Sequence, residues 1–216
     1  MRRRPGSLPA LAAACVAVAC ETAAAPDREL AYPLEDPRSG LTFHWTPGDL
    51  PVRYWVSDDA GSVRDFVREG LRTWAGAFLL GEFRGVMVAD PAEADVLVFV
   101  EPGAPPPGNP TDDPPVLGAC GGVTGYDLEP DEDRLVRPFR VTVEWDSRYA
   151  DGDVVNCLER VAIHEIGHTI GLFGHSSNEL DLMHANPRVR SPSPADQASA
   201  EVLYHTAPTI TPPVPR

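Results

Sequence analysis

The chain has 216 residues, including 24 prolines and 18 glycines, and 43% of its residues are hydrophobic. This length suits a single domain with a substantial core. The formal net charge of −14 excludes the basic face that binds nucleic acid and the basic patch that binds an anionic membrane surface. No apolar stretch has the length of a transmembrane helix, which is about 20 residues.

The first 25 residues have the pattern of a secretory signal peptide. Arginines at positions 2–4 precede an apolar run over residues 8–20, and small residues follow up to Ala25. An ordinary buried helix is the alternative interpretation. The end of the run, Ala17-Val18-Ala19-Cys20, resembles the lipobox of bacterial lipoproteins, so cleavage near Ala25 and lipidation of Cys20 both stay open. We expect an exported protein that is either secreted or anchored to the cell envelope.

Two cysteines remain once Cys15 and Cys20 are assigned to the signal region. They are Cys120 and Cys157. An exported protein meets an oxidising compartment, so we expect one disulfide between them. Two unpaired buried thiols are the alternative.

The mature chain mixes strand and helix patterns, which predicts an α+β domain. A proline-rich, aperiodic segment comes first, and a proline-rich loop is expected over residues 102–115. Ser62 is a candidate helix N-cap with Gly81 as the stop, and Ser193 is a candidate N-cap before Pro194. The tail from Thr206 is expected to be loose. Strands are predicted over 52–56, 83–88, 95–100, 121–128 (an edge strand) and 139–145, and helices over 62–80, 154–172 and 192–204.

The strongest candidate functional residues lie on the helix predicted over 154–172, which contains His164-Glu165-Ile166-Gly167-His168. Residues four apart share a helix face, so His164 and His168 can bind one metal ion. Zinc is favoured because it accepts neutral imidazole ligands. Glu165 is rotated about 100° from His164, which keeps it near the ion as a general base rather than a ligand. A helix with ordinary surface histidines is the alternative.

A glycine, a third histidine and a methionine follow this motif, and with them the segment resembles the metzincin clan of zinc endopeptidases. The order of elements along most of the mature chain is most similar to that of the matrixins. The resemblance implies a metzincin-like fold, in which a twisted mixed sheet carries an active-site helix and a C-terminal helix. It also implies that His164, His168 and His175 bind one catalytic zinc ion, that Glu165 is the general base, and that Met183 is the Met-turn residue packed beneath the metal.

The sequence departs from the family pattern at the third histidine. His175 lies four residues after Gly171, where the family has three. On a straight helix His175 would lie about 10 Å beyond His168, so the chain must turn back. Gly171 and Gly174 can both adopt positive φ. We expect one bulged residue between Gly171 and His175, with His175 kept as the third ligand.

Other polar residues have weaker signals. His184 follows the Met-turn residue and could approach the site or simply pack there. Acidic residues at 127–133, 146, 151 and 153 could bind calcium through oxygen ligands or be solvated. Arg188 and Arg190 lie where the family builds the wall of its main specificity pocket. They would favour acidic side chains after the scissile bond, although exposed loop arginines explain them equally well.

The sequence thus predicts a monomeric, zinc-dependent endopeptidase that acts on proteins or peptides, without nucleic acid and with a membrane contact only through a lipid on Cys20. The predicted division is a signal peptide over 1–25, a proline-rich segment over 26–50, a matrixin-like catalytic domain over 51–206 and a proline-rich tail over 207–216. Two alternatives remain: an inactive metzincin-like binding lipoprotein, and a zinc hydrolase of a non-peptide amide such as a cell-wall crosslink.

Overall fold

The structure is a computed structural model that describes residue 30 and residues 32–103, 119–129 and 133–211. The predicted signal peptide with Cys20, most of the predicted proline-rich loop and the last five residues of the tail lie outside the described residues. Among the helices that are described, none combines the length and the apolar character needed to cross a membrane.

In the part of the chain that the structure describes, five strands form one mixed sheet. Four of them run parallel in the order β2-β1-β3-β5, and β4 is added antiparallel to β5 at the edge. The α+β prediction and the edge position of this strand are therefore confirmed. The strands are β1 (Val52–Val56), β2 (Gly85–Met87), β3 (Val96–Pro102), β4 (Cys120–Leu128) and β5 (Leu135–Trp145).

Three α-helices accompany the sheet within the described residues: α1 (Val63–Ala75), α2 (Asp151–Thr169) and α3 (Pro194–Tyr204). Helices α1 and α2 pack closely because Gly70 has no side chain; a Cβ there would lie 2.5 Å from Cδ1 of Ile166. The indole of Trp74 donates a 2.8 Å hydrogen bond to the backbone carbonyl of Ile163. Helix α1 therefore fixes the middle of α2, one residue before His164.

Helix α1 differs from its predicted form at both ends. The Ser62 hydroxyl makes no capping hydrogen bond, and the helix ends at Ala75 rather than at residue 80. The chain leaves the helix early because Phe78 turns into the core, where its ring lies 4.7 Å from that of Tyr204. The predicted N-cap of α3 is confirmed, since the Ser193 side chain accepts hydrogen bonds from the amides of Ala195 and Asp196.

Both segments that flank the predicted domain also contribute to the core. Trp45 is buried, and its indole donates a 2.9 Å hydrogen bond to the backbone carbonyl of Thr169 at the end of α2. In the tail, Ile210 is fully buried and its amide donates to the carbonyl of Thr42 at 2.8 Å. The expectation of a loose tail is therefore wrong for residues 207–211.

The predicted disulfide between Cys120 and Cys157 is present. It joins the first residue of β4 to α2, with a distance of 5.8 Å between the two Cα atoms. The edge strand and the helix that carries the histidines are therefore covalently linked along one side of the molecule.

Candidate metal centre

Helix α2 presents His164 and His168 on one face, with their ring centroids 4.7 Å apart. The Nδ1 atom of His164 lies 2.7 Å from the carbonyl oxygen of Leu182, and that of His168 lies 2.6 Å from the carbonyl oxygen of Leu172. A carbonyl only accepts hydrogen bonds, so both Nδ1 atoms carry the proton. Each ring therefore keeps a lone pair on Nε2, which is the tautomer that binds a metal ion.

The third histidine is brought back by a turn immediately after α2. Gly171 has a φ of 105°, and a Cβ at this position would overlap the carbonyl oxygen of Phe43. The turn places Nε2 of His175 3.1 Å from Nε2 of His168. The extra residue is thus absorbed as expected, but only Gly171 has positive φ. Gly174 is needed for space instead, because a Cβ there would overlap the carbonyl oxygen of Pro33.

The three histidines fit a zinc ion in both position and charge. One ring nitrogen from each lies within 4.8 Å of the others. Burial lowers the pKa of His164 well below its usual value and that of His168 to about 4; burial, with repulsion from His168, lowers the pKa of His175 to about 4. Neutral imidazoles are the form that zinc requires. Within the residues that the structure describes, no other three His, Cys, Asp or Glu side chains have ligand atoms this close together.

Glu165 lies beside the triad and is buried under β4. One of its oxygens, Oε2, accepts a 2.6 Å hydrogen bond from the hydroxyl of Thr124. Burial raises the pKa of Glu165 to about 7, and the hydrogen bond from Thr124 opposes this rise. Gly122 leaves room for the other oxygen: a Cβ at this position would lie 2.5 Å from Oε1 of Glu165.

Met183 packs directly beneath the helix. It is fully buried, and a Cβ on Gly167 would overlap its sulfur atom. The turn that carries it is fixed by Asp196 of α3, whose carboxylate accepts hydrogen bonds from the amides of Leu182 at 2.7 Å and Met183 at 3.3 Å. The carbonyl of Leu182 in turn orients His164. Asp196 therefore supports the metal centre through two successive hydrogen bonds.

Sequence reasoning missed Thr124, Gly122 and Asp196. Thr124 belongs to no motif, and Asp196 belongs to the capping box of α3 with Ser193, which does not indicate a role at the site. Both residues reach the site only through tertiary contacts. The two adjacent glycines at 121 and 122 inside a strand were a usable signal, because such glycines often mark a close approach of another group.

The remaining candidate residues lie outside the triad. Nδ1 of His184 is 2.9 Å from the carbonyl oxygen of Asn186. Asp146, considered for calcium, pairs with the neighbouring Arg148. The two arginines of the expected pocket wall are also paired, Arg188 with Glu179 at 3.1 Å and Arg190 with Glu159 at 2.7 Å.

A cleft of about 300 Å³ joins these parts. Strand β4 forms one side through Gly122, Val123 and Thr124, and the three histidines with Glu165 form the floor. A mixed sheet whose edge strand faces a helix with two histidines and an adjacent glutamate is the arrangement of a zinc metalloendopeptidase.

The comparison with protein-family models agrees with this class. The family model for Matrixin matches residues 56–204, which is more than half of the chain, and the chain belongs to the matrixin family. Among solved structures, high choriolytic enzyme 1, a hatching enzyme zinc-protease from the medaka fish Oryzias latipes, is similar. It is 13% identical, with 77% of this chain and 95% of that chain covered, at a TM-score of 0.39. No curated protein sequence matches this chain.

Proposed function

We propose that this matrixin cleaves peptide bonds within proteins, with one zinc ion held by His164, His168 and His175 and with Glu165 as the general base. The observation that carries the proposal is the convergence of three neutral imidazoles beside one buried carboxylate in a single cleft. When bound, zinc would supply a Lewis acid that polarises the scissile carbonyl and acidifies water.

Glu165 has the environment of a group that both takes and returns a proton. Thr124 occupies Oε2, so Oε1, which faces the space left by Gly122, is the atom that accepts a proton from the attacking water. The same carboxyl then donates this proton to the leaving amine. A pKa of about 7 suits this exchange, because a catalytic acid–base works best when its pKa lies near the operating pH.

Strand β4 is the proposed binding surface for an extended peptide. Among the described strands it is the edge of the sheet, so one row of its backbone groups has no partner strand there. An added peptide strand would pair with these groups and cross the cleft above the histidines. Val123, which is 61% exposed, would contact a substrate side chain beside the scissile bond.

The test is cleavage of a diverse peptide library by the zinc-loaded mature protein, read by mass spectrometry. Glu165→Gln should lower kcat/KM by about 10²–10⁴-fold while it keeps its zinc, since general-base catalysis contributes this much. Glu69→Gln is the matched control, because Glu69 pairs with Arg72 on the surface of α1.

Failure to cleave would have a definite meaning. If zinc is bound and no peptide is cut, the endopeptidase proposal is wrong. An inactive binding protein or a hydrolase of a non-peptide amide would then replace it.

We further propose that the protein is exported. The Cys120–Cys157 disulfide supports this, because disulfides persist mainly in oxidising compartments. Mass spectrometry of the protein from its native host would find either an N-terminus near Pro26 or a lipid on Cys20. A retained Met1 would contradict export through this segment.

A further inference from the structure

A second and larger cavity, of about 1020 Å³, lies next to the zinc cleft. Three neighbouring stretches of chain line both: β4 or the residue just before it, helix α2, and the chain after Met183. We call the second cavity the arginine pocket, for Arg160, Arg188 and Arg190 in its lining. On each stretch, residues one or two positions apart line the two cavities. Gly121, Val161 and Pro187 line the cleft, and Ala119, Arg160 and Arg188 line the arginine pocket.

Arg160 lies one helical turn before His164 on α2. Four residues correspond to about 6 Å along a helix axis, and an extended peptide advances about 3.3 Å per residue. A peptide with its scissile bond at the histidines can therefore place a side chain from one or two residues away into the arginine pocket.

The three arginines differ in how their charge is compensated. Arg188 and Arg190 form ion pairs with Glu179 and Glu159, and Arg190 also donates to the side-chain oxygen of Asn156 at 2.7 Å. The guanidinium of Arg160 has no ion pair or hydrogen bond to any residue that the structure describes. Its Nε atom, like that of Arg188, is buried without a hydrogen-bond partner.

The electrostatics around Arg160 favour an incoming anion. Burial, followed by repulsion from Arg190, lowers the pKa of its guanidinium. Glu159 attracts it but is bonded to Arg190. Asp153, the acid in the pocket lining, is exposed to solvent two helical turns away. A partly buried cation without a close counter-ion gains most from a carboxylate brought by a ligand.

We propose that the arginine pocket selects an acidic substrate side chain, within two residues of the scissile bond, through an ion pair with Arg160. The inference rests on the proposed function, because it gives a substrate preference to the same catalytic cleft. It replaces the expectation that Arg188 and Arg190 would carry such a preference, since both already have carboxylate partners.

The cleavage test uses peptide pairs that differ only by Glu or Gln at each position within two residues of a mapped cut. At one position the wild type should show a kcat/KM for the Glu peptide at least about tenfold above that for the Gln peptide. Arg160→Gln should reduce this ratio to near one, and Arg160→Glu should cleave a third peptide, with Lys at that position, faster than the Gln peptide. Arg68→Gln, on the exposed side of α1, should keep the wild-type ratio.

A binding test separates the two proposals. Zinc-loaded Glu165→Gln should bind the labelled Glu peptide at least about tenfold more tightly than the Gln peptide, and adding Arg160→Gln should remove the difference. Cleavage without any Glu preference, or a Glu preference that survives in Arg160→Gln, would overturn the proposed role of the arginine pocket. The endopeptidase proposal would stand. Preferential binding of the Glu peptide through Arg160 without any cleavage would support the proposed role of the pocket and overturn the endopeptidase proposal.

Zinc content and circular dichroism confirm that each variant is folded. If Arg160→Gln loses its zinc or its helices, Arg160→Met carries the same test, because its unbranched side chain retains much of the apolar packing of the arginine stem.

Discussion

The two histidines on α2 and the histidine that follows it reach the same point by different means. His164 and His168 are aligned by the helix itself, so their approach depends only on their spacing of four residues. His175 depends on the turn at Gly171, which lies against the N-terminal segment at Phe43. Two of the three ligands are therefore positioned locally, and the third is positioned by chain segments more than 100 residues apart.

Removal of any one of the three histidines is expected to have the largest effect. Loss of a hydrogen-bond partner behind a metal ligand alone costs about 10–100-fold in metal affinity, so His164→Ala and His175→Ala should each weaken zinc binding by more than about 100-fold. Competition with a chelator measures this. His184→Ala is the control and should keep its zinc. Wild-type zinc affinity in His175→Ala would show that the third ligand is dispensable.

The turn itself can be broken without removing a ligand. Gly171→Ala places a side chain at a φ of 105° and against the carbonyl of Phe43, so the free energy of unfolding should fall by at least about 2 kcal/mol. Chemical denaturation measures the change. Gly152→Ala, in the first turn of α2 with no atom within 4 Å of the new Cβ, should change stability by less than about 1 kcal/mol. Equal losses of stability in the two variants would show that the turn at Gly171 does not require glycine.

The position of Glu165 can be tested from the opposite wall of the cleft. Gly122→Ala brings a Cβ to 2.5 Å from its carboxylate oxygen, and a small misplacement of a catalytic group can cost about 100-fold. We expect kcat to fall by this factor with zinc retained. Gly125→Ala, on the same strand with nothing within 4 Å of the new Cβ, should retain the wild-type kcat. If both variants are equally active, the position of Glu165 does not depend on the space left by Gly122.

The smallest effect is expected when the hydroxyl of Thr124 on β4 is removed. Thr124→Val keeps the side-chain volume but removes the 2.6 Å hydrogen bond to Glu165, so kcat should fall about tenfold. Thr124→Ser, which keeps a hydroxyl, should recover most of the activity in the same steady-state assay. An unchanged kcat in Thr124→Val would show that the carboxylate is held in place by burial alone.

The sequence predicted what depends on local spacing and missed what depends on tertiary contacts. The α2 face with His164 and His168 and the edge strand β4 follow from periodicity, and the disulfide follows from cysteine count. Thr124 reaches Glu165 across 41 positions in the chain, and no pattern in either segment indicates this contact. The early end of α1 was missed for the same reason, because Phe78 is drawn out of the helical pattern by the core.

The most direct test of the proposed metal centre is X-ray absorption at the zinc edge of the wild-type protein. We expect three imidazole nitrogens at about 2.0–2.1 Å from one zinc ion, and two in His175→Ala. A wild-type spectrum with only two imidazole ligands, unchanged in His175→Ala, would contradict a metal centre completed by the loop.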